Sequence, residues 1–575
     1  MKTPVEKMTF ALRQHKEKTV IIFCCVWGSI LIFLLLSITD VPRAVPSFFY
    51  AAQEDNLFLF KDLYTQDAWP GVEANGTAPG EFPYLVHYFW CGEKIFRFED
   101  YLGLLSVVRV LRPQKLVFHY HALPYVDEDW YHTWFQELKQ SVPNLVLRHT
   151  NLTPRCGSRE VLAFGLRQLA DEGGIYVGER TVLTHFPGEA FSREFSYFNF
   201  RRLDLSHDVS QGVVFSRFGF SEASLENKVN EIAASTNSCY TVEEYNEASR
   251  LSLGPTLKPC LVLAESVYPR DVWNGTSPFA ELARWLFYGK RSRLEVQPGP
   301  ENDDLIPLIS HMVWIGSDDA ANPSKFQFLH YLSVVSALHV AGFRRVFVHG
   351  ESEPTGRWWD RLQHENVTFV KIQRPETVFQ QEVSGPSQES GVLRLHTLLK
   401  HGGAYQERDV IWVSKLPDSI RRYPAVACVD WARRGEWPEV FNMGVVLAKP
   451  NADWLKSFMK TFSFYREDKW AFNALMMPYK AYELHPDQLY VDTHLQVICF
   501  KGVCHPAWRT DYIRELDDLQ PIINYDWRHA RAFHFIVPKP PNSLASPEAI
   551  KNGIGMFSEI GRMVLEKSGQ SDLLK

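Results

Sequence analysis

The chain has no excess of positive charge: 61 Lys and Arg stand against 67 Asp and Glu, a formal net charge of -6. No basic field exists to hold a nucleic-acid backbone, so nucleic acid drops out as a partner. Cysteine is scarce, nine in 575 residues, and no pair shows zinc-ligand spacing with a second pair. The near pair Cys499 and Cys504 reads as a small disulfide loop. With 33 Gly, 34 Pro and a charged fraction of 22%, composition also excludes collagen, coiled coil and a low-complexity tail. What remains is ordinary globular material, 45% hydrophobic and 14% aromatic, enough for two large domains.

One long apolar run does exist. Thr19 to Ile38 (TVIIFCCVWGSILIFLLLSI) holds no charge, and about 30 Å of helix from such a run crosses a bilayer core. No convincing cleavage site follows, which favours a retained anchor over a signal peptide. The flank before it carries Lys2, Lys7, Arg13, Lys16 and Lys18, against Arg43 alone close behind. The positive-inside bias leaves residues 1–18 in the cytosol and everything after residue 38 in a secretory lumen, a single-pass type II arrangement. Four acceptor triplets for N-glycosylation, at Asn75, Asn151, Asn274 and Asn366, agree with that placement. Beyond Cys24 and Cys25 in the span, seven cysteines remain. Seven is odd, which leaves one thiol free or paired with another chain, so a disulfide-linked or non-covalent dimer is a candidate assembly.

Residues 39–80 read as a stem. Beyond it the chain repeats itself. FPYLVHYFWCG from Phe82 aligns with IPLISHMVWIG from Ile306, FRFEDYLGLLSVVRV from Phe96 with FQFLHYLSVVSALHV from Phe326, LVFHY from Leu116 with VFVHG from Val346, and EGGIYVGERTVL from Glu172 with HGGAYQERDVIW from His401. The matches keep one order and nearly one offset, which means two copies of a domain rather than a solenoid. Each copy reads as strand, helix, strand, then a later helix ending in Gly-Gly before another strand. The fold class is therefore α/β with parallel strands, copy one over residues 81–300 and copy two over 301–575.

The second copy carries the chemistry-bearing residues. Val392, Leu395 and Leu399 fall at helical spacing, Gly402 and Gly403 supply a helix stop, and Gln406-Glu407-Arg408-Asp409 follows. In an extended segment Glu407 and Asp409 project to one side. Two such carboxylates make a hard oxygen site for Mn2+ or Mg2+ carrying a diphosphate, although E-x-D alone also describes a solvated turn.

The opening strand IPLISHMVWIG, the segment SGVLRLHTLLKHGGAYQERDVIWV (Ser390 to Val413) and FNMGVVLAKP (Phe441 to Pro450) resemble the DXD-containing glycosyltransferases of family 32. That group includes initiation-specific α-1,6-mannosyltransferases and α-1,4-galactosyltransferase-like enzymes. The resemblance implies tandem GT-A-like, Rossmann-like nucleotide-sugar domains and a Golgi membrane enzyme. Such an enzyme moves a sugar, with retention and a divalent metal, from a UDP- or GDP-sugar to a glycan or glycolipid. It assigns Glu407 and Asp409 to the DXD pair and to catalysis, with His534 as a further metal ligand. Ser390, Arg394, Tyr405, Asn442 and Trp314 become substrate-binding candidates. Gly391 stands where the family has an Asp, and Glu407 where it has the first Asp. His534 in its apolar run also fits a hydrogen-bonded core residue, as Trp90 and Trp314 fit core filling; His87 and His311 recur with strand packing and read as structural.

The first copy has Gly178 and Arg180 at the positions of Glu407 and Asp409, and Gly165 opposite Arg394. An arginine repels a divalent cation, so this copy reads as catalytically silent, with Arg180 in an empty pocket. A competing reading of the whole chain is an inactive pseudo-glycosyltransferase that binds glycan or assists a partner; a third is a structural cell-surface protein.

Overall fold

The computed structural model describes residues 85–125, 131–185, 193–199, 212–235, 238–251, 258–301, 304–315, 325–379, 381–383, 385–430, 440–466, 469–500, 503–508, 525–536 and 542–575. All of them belong to one compact unit, Phe58–Lys575. The cytosolic tail, the apolar span 19–38, the stem and Asn75 lie outside the described residues. Among the described residues no helix is long and apolar enough to cross a membrane.

The N-terminal half contributes strands β1 (Leu85–Trp90), β2 (Lys115–Tyr120), β3 (Leu145–His149), β4 (Gly174–Val177), β5 (Thr181–Leu183), β6 (Phe195–Asn199), β7 (Gly212–Ser216) and β8 (Cys260–Val262). The C-terminal half contributes β9 (Ile309–Trp314), β10 (Arg345–Gly350), β11 (Val367–Lys371), a small hairpin β12 and β13 (Thr377–Val378 and Gln381–Glu382), β14 (Gly403–Gln406), β15 (Val410–Trp412), β16 (Ala425–Val429), β17 (Phe441–Ala448), β18 (Tyr490–Val491), β19 (Gln496–Phe500), β20 (Val503–Pro506) and β21 (Ala532–Ile536). The first large sheet runs β3-β2-β1-β4-β7-β6 and the second β11-β10-β9-β14-β17-β16-β18. In each, the strands up to β4 or β14 pair parallel and the next strand, β7 or β17, pairs antiparallel. Even the register repeats, His87 opposite Tyr176 and His311 opposite Tyr405. The run LVFH of β2 is buried on both faces, as a parallel strand covered by helices must be. A smaller sheet, β15-β21-β19-β20, belongs to the C-terminal half alone.

Helix α1 (Arg159–Glu172) leads into β4 and helix α2 (Pro386–His401) into β14, each through a Gly-Gly turn. Both turns require glycine. Gly174 and Gly403 have φ of 104° and 97°, and a Cβ there would stand 2.3 Å from Leu85 O and 2.6 Å from Ile309 O. Behind the turns sits a buried histidine pair in each half, His87 Nδ1 to His119 Nε2 and His311 Nδ1 to His349 Nε2, both 3.0 Å. Burial pushes His87 and His349 down to about 4 and His119 and His311 to about 3, so all four are neutral framework groups.

The halves share one continuous core, in which Trp134 and Phe287 join Trp454 and Tyr479. Lys480 is enclosed there, 3.4 Å above the Trp134 ring, with Nζ 3.2 Å from Glu483 and 3.5 Å from Glu137. Tyr131 donates to Glu483, whose carboxyl is pushed up to about 7, first by burial and against the pull of Lys480 and Tyr131. Three disulfides form, Cys91–Cys156, Cys239–Cys260 and Cys499–Cys504. The seventh cysteine, Cys428, is free and buried, so it is not placed to bridge to another chain, which corrects the disulfide-linked arrangement. The sequon residues Asn151, Asn274 and Asn366 are all exposed.

Candidate functional site

In both sheets the chain turns outward to β3 or β11 and then returns to the other side of β1 or β9, so the carboxyl ends of β9 and β14 flank a switch point where open α/β sheets bind ligands. A cavity of about 460 Å³ opens there. Its floor is Glu407, Arg408, Asp409, Asn442, Gly444 and His534; α2 supplies one wall, and a segment from Phe458 to Leu475 the other.

Residues 407–409 form a turn rather than an extended strand: β14 ends at Gln406, Val410 N–H donates to Glu407 O at 3.1 Å, and β15 starts in the other sheet. The expected alternation therefore does not apply, yet the turn carries both carboxylates to the cavity. Beneath them Gln406 is wholly buried and accepts from Ser310 Oγ at 2.7 Å and from Trp412 Nε1 at 2.9 Å. That network fixes the strand end from which the turn departs.

The two carboxylates have different surroundings. Glu407 pairs with Arg394 and accepts from Tyr405 OH at 3.0 Å. The Tyr405 hydroxyl also lies 3.0 Å from Ser390 Oγ, and the Arg394 guanidinium lies 4.3 Å over the Tyr405 ring. Ser390, Arg394, Tyr405 and Glu407 are thus one cluster. Buried Arg394 Nε has no hydrogen-bond acceptor. Asp409 Oδ1 is buried without a hydrogen-bond donor, and His534 Nε2 stands 3.3 Å away as its ion-pair partner.

His534 is set from behind. Its Nδ1 lies 2.8 Å from Asn442 Oδ1, which also accepts from Gly444 N–H at 2.8 Å, while Asn442 Nδ2 donates to Asp430 at 3.3 Å. That amide orientation makes Nδ1 the donor and leaves Nε2 toward Asp409. Burial opposes a charge on His534, but Asp409, Glu407 and Asp430 raise its pKa above the usual imidazole range. Gly444 is needed at this point, since a Cβ would stand 2.1 Å from His534 Nδ1. Asp409 Oδ1 and His534 Nε2 are paired with each other, so the two would hold a divalent cation only once His534 gives up its Nε2 proton. Glu407, committed to Arg394 and Tyr405, does not offer itself in the same way. Among the described residues no group of three or more His, Cys, Asp or Glu is arranged as a metal site.

Trp314 lies away from the cavity. Its ring packs at 5.2 Å on Phe326 and on His330, with the Arg408 guanidinium 5.9 Å from it. Sequence reasoning did not single out Asp430, Gly444, Ser387 or Trp470. Gly444 had a signal in Asn-Met-Gly; Trp470 had none, because it reaches the cavity through the path of a distant segment.

No family model matches the chain. A curated relative, Glucan organizing enzyme 1 of Cryptococcus neoformans var. grubii serotype A, is 27% identical over 240 residues, covering 40% of this chain. The chain spans 63% of that relative's length. Among solved structures, PaToxG glycosyltransferase is similar at 19% identity and a TM-score of 0.23, covering 32% of this chain and 71% of its own. The LgtC mutant Q189E gives 15% and 0.26, covering 44% and 95%, and the bifunctional glycosyltransferase WbbM 9% and 0.30, covering 64% and 68%.

Proposed function

We propose that the protein is a glycosyltransferase whose C-terminal half moves a sugar from a nucleotide-sugar donor, a UDP- or GDP-sugar, to a glycan or glycolipid hydroxyl with retention of configuration. The observation that carries this is the 460 Å³ cavity at the switch point, where the Arg394–Glu407–Tyr405–Ser390 cluster faces the Asp409–His534–Asn442 chain. A relative named as a glucan organizing enzyme supports a glycan setting.

In this reading Glu407 holds Arg394 and Tyr405 in place, and Arg394 faces the donor sugar where it lines the cavity. The aromatic wall of Phe458, Phe462 and Tyr465 keeps water from the reacting carbon. Asp409 and His534, with the donor's diphosphate oxygens, would hold Mn2+ or Mg2+, which when bound neutralises charge on the leaving diphosphate. Asn442 fixes the His534 tautomer for that purpose. The N-terminal half serves as a structural or acceptor-binding partner. The exposed sequons, the three disulfides and the apolar span support a type II Golgi membrane protein with its catalytic part in the lumen.

A donor screen tests the proposal: detergent-purified full-length protein, each nucleotide sugar in turn, Mn2+, and nucleotide release as the signal. Release from one donor, lost in Asp409→Asn, is the expected result. Nucleotide binding without release from any donor, with or without added glycans, would favour the pseudo-glycosyltransferase reading, which the engagement of Glu407 by Arg394 keeps in view.

A further inference from the structure

The cavity has an asymmetric mouth. The carboxylates and Arg394 lie at its inner end; the other end is framed by Ser387, in the first turn of α2, and by Trp470 on the opposite wall. Seven residues separate Ser387 from Arg394, about 10 Å of helix, which leaves room for a second sugar ring beyond one held at Arg394.

Trp470 is unusual in its setting. It is 48% exposed, whereas every other tryptophan among the described residues is buried or half-buried. A large apolar ring left open at the cavity mouth loses hydrophobic stabilisation that packing would have supplied. Yet the ring is not loose: its Nε1–H donates to Ser387 Oγ at 2.8 Å. Anchoring one edge of an indole leaves a flat, oriented face at little further entropic cost on binding. A pyranose presents one face of C–H bonds ringed by hydroxyls, the complement of an aromatic face beside hydrogen-bonding side chains. Gln388 supplies such a side chain along the same cavity.

We propose that Trp470 is the stacking platform of an acceptor subsite, held in orientation by Ser387, and that its ligand is a neutral hexose unit of an oligosaccharide. This rests on the glycosyl-transfer reading above and adds to it the place where the acceptor binds.

The test uses full-length protein in detergent, with laminarihexaose, maltohexaose and mannohexaose as acceptor probes and UDP or GDP with Mn2+ as nucleotide probes. Binding is followed by isothermal calorimetry for wild type, Trp470→Ala, Trp470→Phe and Ser387→Ala. Wild type is expected to bind at least one hexasaccharide. Trp470→Ala should weaken it at least tenfold, Trp470→Phe restore it to within about threefold, and Ser387→Ala fall between, all with unchanged nucleotide affinity and matching thermal melts. If Trp470→Ala binds hexasaccharide as wild type does, or wild type binds none of the three, the platform assignment is overturned. Equal loss of nucleotide affinity in Trp470→Ala overturns it too, since the ring would then serve the donor. Trp470-dependent hexasaccharide binding in a protein that binds no nucleotide leaves the platform standing and defeats the glycosyl-transfer reading instead.

Discussion

The two halves place their backbones alike and fill them differently. Gly178 N–H donates to Gly212 O at 2.9 Å just as Glu407 N–H donates to Gly444 O at 2.8 Å, so the turns after β4 and β14 leave their sheets at the same point, although Arg180 takes a positive φ of 54° that Asp409 does not. Around the second turn there is a cavity; around the first there is packing. Phe89 stands where Val313 opens the C-terminal cavity and meets Phe164 at 4.7 Å, and Leu162 is buried where α2 has Gly391. The Tyr176 ring lies so close to Gly165 that a Cβ there would come within 2.5 Å of it. The corresponding Tyr405 instead has a guanidinium over its ring. A framework of this kind tolerates either a packed core or a polar cavity at its switch point, and side-chain volume decides which one forms.

Arg180 corrects an expectation. The pocket read as empty is occupied: the guanidinium stands 3.5 Å from both Glu99 and Asp100, whose side chains are almost wholly buried. Burial raises both carboxyls, Asp100 to about 6, and Arg180 offsets part of that. Glu179 is likewise used locally, accepting from Cys91 N–H at 2.7 Å and pairing with Lys94. The first half spends its charges on its own stability.

The sharpest way to break the contrast is to delete one charge on each side. Asp409→Ala should abolish nucleotide release, a loss of about a thousandfold or more, because the residue stabilises a charged leaving group, and should lower the melting temperature only as far as buried His534 loses its ion-pair partner. Arg180→Ala should do the reverse, costing about 1–3 kcal/mol of stability by leaving two buried carboxylates poorly compensated, with turnover retained below the melting temperature. Paired activity and calorimetry read both. If Arg180→Ala proves the more damaging to turnover at equal stability, the N-terminal half is the working site.

A milder change probes the packing itself. Gly165→Ala should destabilise by about 1–3 kcal/mol through overpacking on Tyr176, whereas Gly391→Ala, whose Cβ would meet only Phe462 at 3.6 Å, should sit within about 0.5 kcal/mol of wild type. Equal melting temperatures for the two variants would remove the distinction between a filled and an open half.

The last contrast concerns the shared core. Glu483 has its folded pKa raised above the unfolded value, so its neutral form contributes stability at low pH that is lost as pH rises through about 7. The stability of Glu483→Gln relative to wild type should therefore rise between pH 5 and pH 8, by on the order of 2 kcal/mol, in thermal melts across that range. A pH-independent difference would mean that Lys480 keeps Glu483 ionised throughout.

Local chemistry made much of this legible in advance. Gly-Gly turns, short apolar strand runs and their recurrence specify two α/β sheets, because backbone strain and strand burial act over a few neighbouring residues. The grouping of Ser390, Arg394, Tyr405 and Glu407 was reachable for the same reason, since one helix, one turn and one strand end hold all four. Three things depended on the tertiary path. Trp314 faces the core because strand alternation gives two sides and only the packed neighbours, Phe326 and His330, say which is inside. Asp409 is committed to His534 because β21 arrives beside β15 from more than a hundred residues away. Trp470 meets Ser387 across 83 positions of sequence, a contact that no local pattern encodes. Short-range sterics and periodicity determine the elements, while the partner of each polar group is settled only when distant segments close around it.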